Sequence, residues 1–583
     1  MLSLQQFRAA LRARLGVDER ALAAVRVLLA TVVLVDVVLA AADARAFYTD
    51  AGVLPRDLLL VEFPVRGQFT LHALSGAPWW QYVAFALVAL AAVAMLVGYR
   101  SRLATAVTLG LVLSMQFRNP FVLNSGHSLL RRLLLWSVLL PVGARWSVDA
   151  KRRASADRDG ADGDAGSVAP DLVTSVATVG VFVQVLVVYG MNAVLKSRGR
   201  AWQSGEAAEL VFGMDAITVF LGDALAGQSV LLELGTHAWV LLLYATPLLV
   251  LATGRLRALV AGAFVAAHLS MAATLSLGVF PFVSIAGLLV FLPPFVWDRL
   301  ERVVDPHVTA RVEGAVTVLE RATPSDDDPS DHTFGGDDPS DHTFGGDGPS
   351  DDALSGDAAS APLARLRSAG RTAYRVLPVV VLAAVLVWNA AGFGLLALPA
   401  AATETVDPTE HRWDMFAPNP LSTDAWYATV GTTTGGDRVD LYAGTASRGP
   451  PADVDATYPS QKWYLYLRNL RGGDVDERRD RFAQYLCDRW NRRHASTLAT
   501  VNVTLVTEDV RLDDDGEIAR ESFGGRCTDL MTATTRTALA RPSSLEALTR
   551  PSSLEALTRP SSTSAARARE PKPISPVVPE RLA

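Results

Sequence analysis

The chain has 583 residues, 50% of them apolar, with a formal net charge of −6 and a mean hydropathy of +0.24. That balance excludes both a disordered chain and an ordinary soluble globule. The acidic excess lies largely in polar loops and implies no nucleic-acid partner.

Apolar windows long enough to cross roughly 30 Å of hydrocarbon recur along the sequence. Nine are read, at about 21–41, 80–98, 102–118, 128–143, 172–194, 237–253, 256–276, 278–297 and 375–398. The expected fold is an all-α polytopic bundle of about nine spans in the lipid bilayer, with a small extracytoplasmic α+β domain near the C-terminus. The basic clusters at the N-terminal arm, Arg100/Arg102, Lys151–Arg153, Arg255/Arg257 and Arg365–Arg375 all fall on one side by this count. By the positive-inside rule that side is the cytoplasm of a multi-pass cell-membrane protein, and the region beyond about 400 lies outside.

Residues 1–20 read as a basic amphipathic helix on the membrane surface, with no cleavable signal peptide. The first span carries Asp36, which must face the bundle interior or a partner. Phe47 to Arg56 reads by composition as an outer loop, turned by Gly52 and Pro55. Asn124-Ser-Gly-His127-Ser128 opens the fourth span with a polar cluster. Residues 151–170 read as a flexible loop, and 301–370 as an acidic disordered linker holding a tandem repeat, Asp328–Gly336 and Asp338–Gly346. The repeat places Asp and His in register, but slippage in a linker is the better reading than a metal site, and no metal ligands are assigned.

The fifth span ends in Lys196. A lysine there is either a snorkelling anchor or a base, and the sequence leaves both open. The chain has only four lysines, Lys151, Lys196, Lys462 and Lys572. Arginine does its other basic work, and arginine cannot give up its proton. His268 lies on the outward half of the seventh span, before the Gly278-Val-Phe-Pro281 turn. By the span count His127, Lys196 and His268 all open toward one leaflet, so one cavity could gather them; singly, each histidine reads more simply as an interhelical hydrogen-bonding group.

After the last span (375–398), residues 405–533 read as a small α+β module. Its strands are Ala425–Gly431, Val439–Tyr442 and Ala499–Val506, the first two joined through Gly435-Gly-Asp437, and its helix is Glu477–Arg493. The only two cysteines, Cys487 and Cys527, both lie here, where an oxidising compartment allows a disulfide. A repeat at Arg541–Thr549 and again from Arg550 opens a disordered tail, 534–583.

Residues 20–300 resemble the horizontally transferred transmembrane (HTTM) domain, shared by vitamin K-dependent gamma-carboxylase and many prokaryotic proteins. The motifs that carry the resemblance are Phe47–Arg56, Gly98-Tyr-Arg100, Asn124–Ser128, Trp146-Ser-Val-Asp149, Ala193-Val-Leu-Lys196 with Trp202, and His268 with Leu277–Pro281. Arg412-Trp-Asp-Met-Phe-Ala-Pro-Asn-Pro420 also recurs in prokaryotic members. The resemblance implies a quinol-dependent oxygenase or carboxylase-like enzyme using a reduced quinone of the vitamin K type. Lys196 would be its base and His127 a second catalytic residue, with Asn124 and His268 lining the site. Residues 400–583 do not resemble the carboxylase's lumenal part, and Leu195 stands where that enzyme has another lysine. The alternative is a non-catalytic membrane module that binds lipid or quinone, or scaffolds the outer domain. A transporter is the weakest reading, since no inverted repeat or pair of broken helices is found.

Overall fold

The computed structural model describes residues 4–159, 172–303, 360–399, 408, 413–441, 458–472, 475–510 and 518–530. All belong to one compact unit, Met1–Met531. Both tandem repeats, most of the 151–170 loop and the 534–583 tail lie outside the described residues.

The helices that matter here are α1 (Leu4–Leu15), α2 (Glu19–Ala42), α3 (Pro78–Val97), α4 (Ser101–Arg118), α5 (Ser125–Leu139), α6 (Val176–Lys196), α7 (Ser229–Tyr244), α8 (Gly254–Thr274), α9 (Phe280–Leu289), α10 (Pro294–Val303) and α11 (Ser360–Gly392). Four of these are long and apolar enough to cross a membrane: α2, α3, α6 and α8. A fifth is reached if α9 and α10, bent by 112° at a short break, count as one span. The remaining apolar windows are largely helical as well. They fall short because they are brief, like α5, or carry polar side chains, like α4.

Those polar side chains face inward. Thr105, Thr108, Gln116 and Arg118 of α4 are all buried. The same logic holds for Arg26 on α2, which is fully buried. Its guanidinium donates to the carbonyls of Met95 (3.0 Å), Leu96 (2.7 Å) and Trp146 (2.5 Å). It thereby adds donors to carbonyls in the last turn of α3, where the helix supplies few of its own. Gly98 closes that end at φ 71°, and a side chain there would run into the Arg26 guanidinium.

Around α2 pack α3 and α9, with α4 and α5 behind them, while α6 sits between α5, α7 and α11. A two-residue ladder, β1 (Val17–Asp18) with β2 (Leu172–Val173), holds the start of α2. There Arg20 pairs with Asp18, Asp298 and Glu301, joining α2 to α10.

The C-terminal region forms a four-stranded antiparallel sheet of order β4-β3-β5-β6, made of β3 (Thr423–Thr433), β4 (Arg438–Asp440), β5 (Leu498–Asp509) and β6 (Ile518–Arg526). Two helices accompany it, α12 (Gln461–Arg468) and α13 (Asp476–Asn491). Cys487 of α13 and Cys527, just after β6, are joined as a disulfide with Cα atoms 5.9 Å apart. The sequence reading anticipates β3, β4, β5 and α13. It does not anticipate α12, whose apolar residues are aromatic and crowded, nor β6, which reads Ile-Ala-Arg-Glu-Ser-Phe-Gly-Gly-Arg and is an exposed edge.

This unit is fused to the bundle through α12. Phe47, from the Phe47–Arg56 segment, lies 4.6 Å from the Trp463 ring and 5.7 Å from Tyr466. Far from being a free loop, that segment buries Phe47, Tyr48, Val53 and Leu54. Ser460 donates to Asp43 at 2.6 Å, and Lys462 reaches Asp36 at 2.8 Å. Burial opposes the charge on Lys462, but the Asp36 carboxylate beside it holds the amine above the usual lysine range. A raised lysine contributes its stabilisation fully below the unfolded value and loses it as pH rises through the folded one, so the lysine half of the pair stays charged through the neutral range and is lost in strong base.

Removing one partner of a buried pair strands the other charge. Lys462→Met should therefore destabilise the protein by about 3–5 kcal/mol, read as a lowered unfolding temperature in detergent. Adding Asp36→Leu should recover most of that loss, and no recovery would show that the pair is not coupled.

Candidate functional site

The site is built on one face of α6. Tyr189, Asn192 and Lys196 recur at helical spacing toward its C-terminal end, so their side chains project together. Opposite them lies the irregular segment Trp413–Pro418. Asn192 Nδ2 donates to the Trp413 carbonyl at 2.9 Å. Lys196 Nζ donates to the carbonyls of Met415 (2.8 Å) and Phe416 (3.0 Å). Trp202 Nε1 donates to the same Phe416 carbonyl at 2.8 Å, and Lys196 Nζ lies 3.7 Å from the centre of the Trp202 ring.

Lys196 is 3% exposed and makes no ion pair among the described residues. Two carbonyl oxygens and one indole face surround its nitrogen. That arrangement suits the three N–H bonds of an ammonium. The Trp413 ring is itself buried, with Nε1 3.2 Å from Asn389 Oδ1 of α11 and the Arg132 guanidinium 4.6 Å from its ring centre. Gly199 sits directly against the Pro418 carbonyl, where no side chain could fit.

Next to this clamp is a cavity of about 1640 Å³. Its walls include Leu232 and Leu242 of α7, Val260 and Ala263 of α8, and Phe280 of α9. Its polar lining includes Lys196, Asn192, Asn124, Gln116 and Ser128. The structure thus brings Lys196 and Asn124 to one cavity.

His127 and His268 do not line it. Asn124 caps α5, accepting from the His127 backbone N–H at 3.3 Å, and donates from Nδ2 to the Leu277 carbonyl at 3.0 Å. His127 Nδ1 lies 3.1 Å from the Asn124 backbone nitrogen and 2.9 Å from Asn124 Oδ1, both in the cap of α5, which leaves Nε2 as the ring's other nitrogen. That nitrogen points away from the cavity to Asp36 Oδ1, 3.5 Å off, so His127 belongs to the Asp36–Lys462 pair. His268 donates from Nδ1 to the Phe264 carbonyl at 2.8 Å, and its Nε2 lies 3.3 Å from the Tyr189 hydroxyl. It stands one layer behind the wall, and Tyr189 is the residue that reaches the cavity.

Among the described residues no group of three His, Cys, Asp or Glu side chains could hold a metal ion. The residue pattern alone did not reveal that Trp413–Pro418 docks on Lys196, nor that Lys462 meets Asp36. One signal pointed that way: in a chain with four lysines, two lie buried at joints between distant segments.

Residues 16–297 match the HTTM domain family model. This is an HTTM-domain protein. The match runs from just before α2 into α10, so it contains Lys196, Asn124, His127 and His268, while Trp413–Pro418 and the sheet lie beyond it. No curated protein and no solved structure matches the chain. The HTTM domain and the apolar helices make it an integral membrane protein.

If Lys196 clamps the segment, Lys196→Met should leave the carbonyls of Met415 and Phe416 without donors. Hydrogen exchange in residues 413–418 should then rise by about 10-fold, the factor equivalent to ~1.4 kcal/mol of lost hydrogen bonding. Unchanged protection would show that the segment is held by Asn192 and Trp202 alone.

Proposed function

We propose that this HTTM-domain protein binds a lipid-soluble molecule with a polar head in the cavity beside α6. One observation carries the reading: a single large cavity has an aliphatic and aromatic wall from α7, α8 and α9 and a hydrogen-bonding wall from Asn124, Gln116, Ser128 and Lys196. Such a shape takes an amphipathic ligand, with tail and head sorted by the walls. A quinone of the vitamin K type fits this donor set, its tail against Leu232, Leu242 and Val260 and its ring oxygens toward Asn124 and Lys196. A membrane lipid fits the same walls. On this reading Lys196 is a clamp, charged and structural.

The second reading is catalytic. It is supported by Lys196 reaching the cavity wall with no carboxylate among the described residues paired to it. A reduced quinone supplies a phenolic proton when bound. Lys196 would accept it, which requires a neutral amine whose lone pair is turned from the Trp202 face toward the cavity. Asn124 would orient the head. His127 would act indirectly in this scheme, by fixing Asn124 at the start of α5.

Lys196→Arg separates the two readings. Arginine preserves a cation but cannot serve as a base. A clamp should tolerate the change, with insertion and ligand retention intact. A base should lose oxygen-dependent quinol turnover by at least ~10²-fold while still inserting normally. Wild-type turnover in the arginine variant would end the catalytic reading.

The wider architecture of this proposal is nine spans, a cytoplasmic N-terminus and 301–370 linker, and an extracytoplasmic 405–533 domain. It is supported by the arginine distribution and by the disulfide between Cys487 and Cys527. Reporter fusions at Gly346 and Gly435 should show opposite sidedness. The same side for both would sink the span count.

A further inference from the structure

We infer that the cavity selects an amphiphile with a permanently anionic head, a phosphate or carboxylate on an apolar chain. This rests on the reading that the cavity binds an amphipathic molecule, and it names the head.

The charge lining the cavity is lopsided. Four cationic side chains contribute to it, Arg66, Arg131, Lys196 and Arg468, against one carboxylate, Asp414. Asp414 is exposed and sits on the Trp413–Pro418 segment. Lys196 is already enclosed by its carbonyls and indole. Arg131 is placed differently. Arg131 of α5 donates from Nη1 to Gln116 Oε1 and from Nη2 to Ser128 Oγ at 3.1 Å, and both partners are neutral. Among the described residues it has no carboxylate within ion-pair distance. Arg66 comes from the short helix Pro64–Gln68. The Pro64–Gln68 helix packs on α4, and α12, which carries Arg468, packs on the Pro120–Val122 turn at the far end of α4. The cationic lining therefore gathers where α4 gives way to α5.

Gln116 provides an independent sign. It is 1% exposed and lines the cavity. Because its Oε1 accepts from Arg131, the amide is oriented and Nε2 must be the donor. That Nε2 has no hydrogen-bond partner among the described residues. A buried donor left without an acceptor is costly, and one beside an unneutralised arginine calls for an anionic oxygen. An oxyanion between Gln116 and Arg131 would satisfy both. The apolar walls from α7 and α8 argue that this oxyanion carries a hydrocarbon chain rather than arriving as a free ion.

The test uses the full-length protein in a neutral maltoside detergent, with decyl phosphate, decanol and inorganic phosphate as probes below their micellar concentrations. Equilibrium binding should favour decyl phosphate over decanol by at least ~10-fold, as expected from one hydrogen bond to a charged group. Inorganic phosphate should not compete. Arg131→Gln and Arg468→Gln should each narrow that preference. It is read as a ratio within each variant, so that a folding defect, which lowers both affinities, is told apart.

Equal affinity for decyl phosphate and decanol would overturn the anionic head while leaving the cavity's binding role standing. So would a preference unchanged in both variants. Effective competition by inorganic phosphate would reveal a site for a free anion and overturn the amphiphile. Binding of none of the probes would overturn this inference and the binding reading beneath it.

Discussion

An irregular segment cannot enter the end of a helical bundle with its carbonyls unpaired. Helices satisfy their own backbone, but Trp413–Pro418 is not helical and pairs with no strand among the described residues. Three side chains of the HTTM domain supply what it lacks: Asn192 and Lys196, one turn apart on α6, and Trp202 just beyond. The position of the sheet follows from this, since β3 begins only a few residues after Pro418. So does the shape of the cavity, whose rim includes Trp413, Met415 and Phe416.

The two buried lysines show how surroundings decide the role of one side-chain type. Lys462 has a carboxylate 2.8 Å away and is the charged half of a pair that spans from α12 to α2. Lys196 has carbonyls and an indole ring instead. The first arrangement locks two parts of the chain together. The second also holds a segment, but it leaves an amine at a cavity wall, where a ligand can compete for it. A clamp and a proton acceptor are thus neighbouring states of one geometry, separated by where the Trp202 face and the two carbonyls stand.

Legibility in the sequence followed physical lines. Helices that are long and apolar nearly throughout, such as α2, α3 and α8, announce themselves by hydropathy alone. Ser101–Arg118 is harder to interpret, because Thr105, Thr108, Gln116 and Arg118 are buried against other helices, and composition cannot tell an inward polar group from an exposed one. Asp36 was legible as a residue needing a partner; that the partner would be Lys462, hundreds of residues on, was not. Lys196 was legible as a residue that could face a cavity, and Asn124 entered as a lining residue through the family resemblance; both line the cavity. The histidines shared their apparent level in the membrane, but side-chain direction separated them. His127 turns to Asp36 and His268 to Tyr189. Helix phase within a bundle is set by packing that one sequence does not display.

The joint between the two parts of the molecule gives the cavity its chemistry. Toward Leu232, Leu242 and Val260 it is bounded by HTTM helices alone and is apolar. Toward Asn124 and Arg131 it is closed by groups from both parts, because Gln461, Tyr464, Leu465 and Arg468 of α12 reach into the same lining. Helix α12 is held there by the Phe47 stack, by Asp36 and by Asn469, which donates to the Phe121 carbonyl at 3.1 Å. The polar end of the cavity is therefore a composite surface. On the proposed reading, the HTTM domain supplies a socket for the tail of a ligand, and the α+β unit helps decide which head can stay.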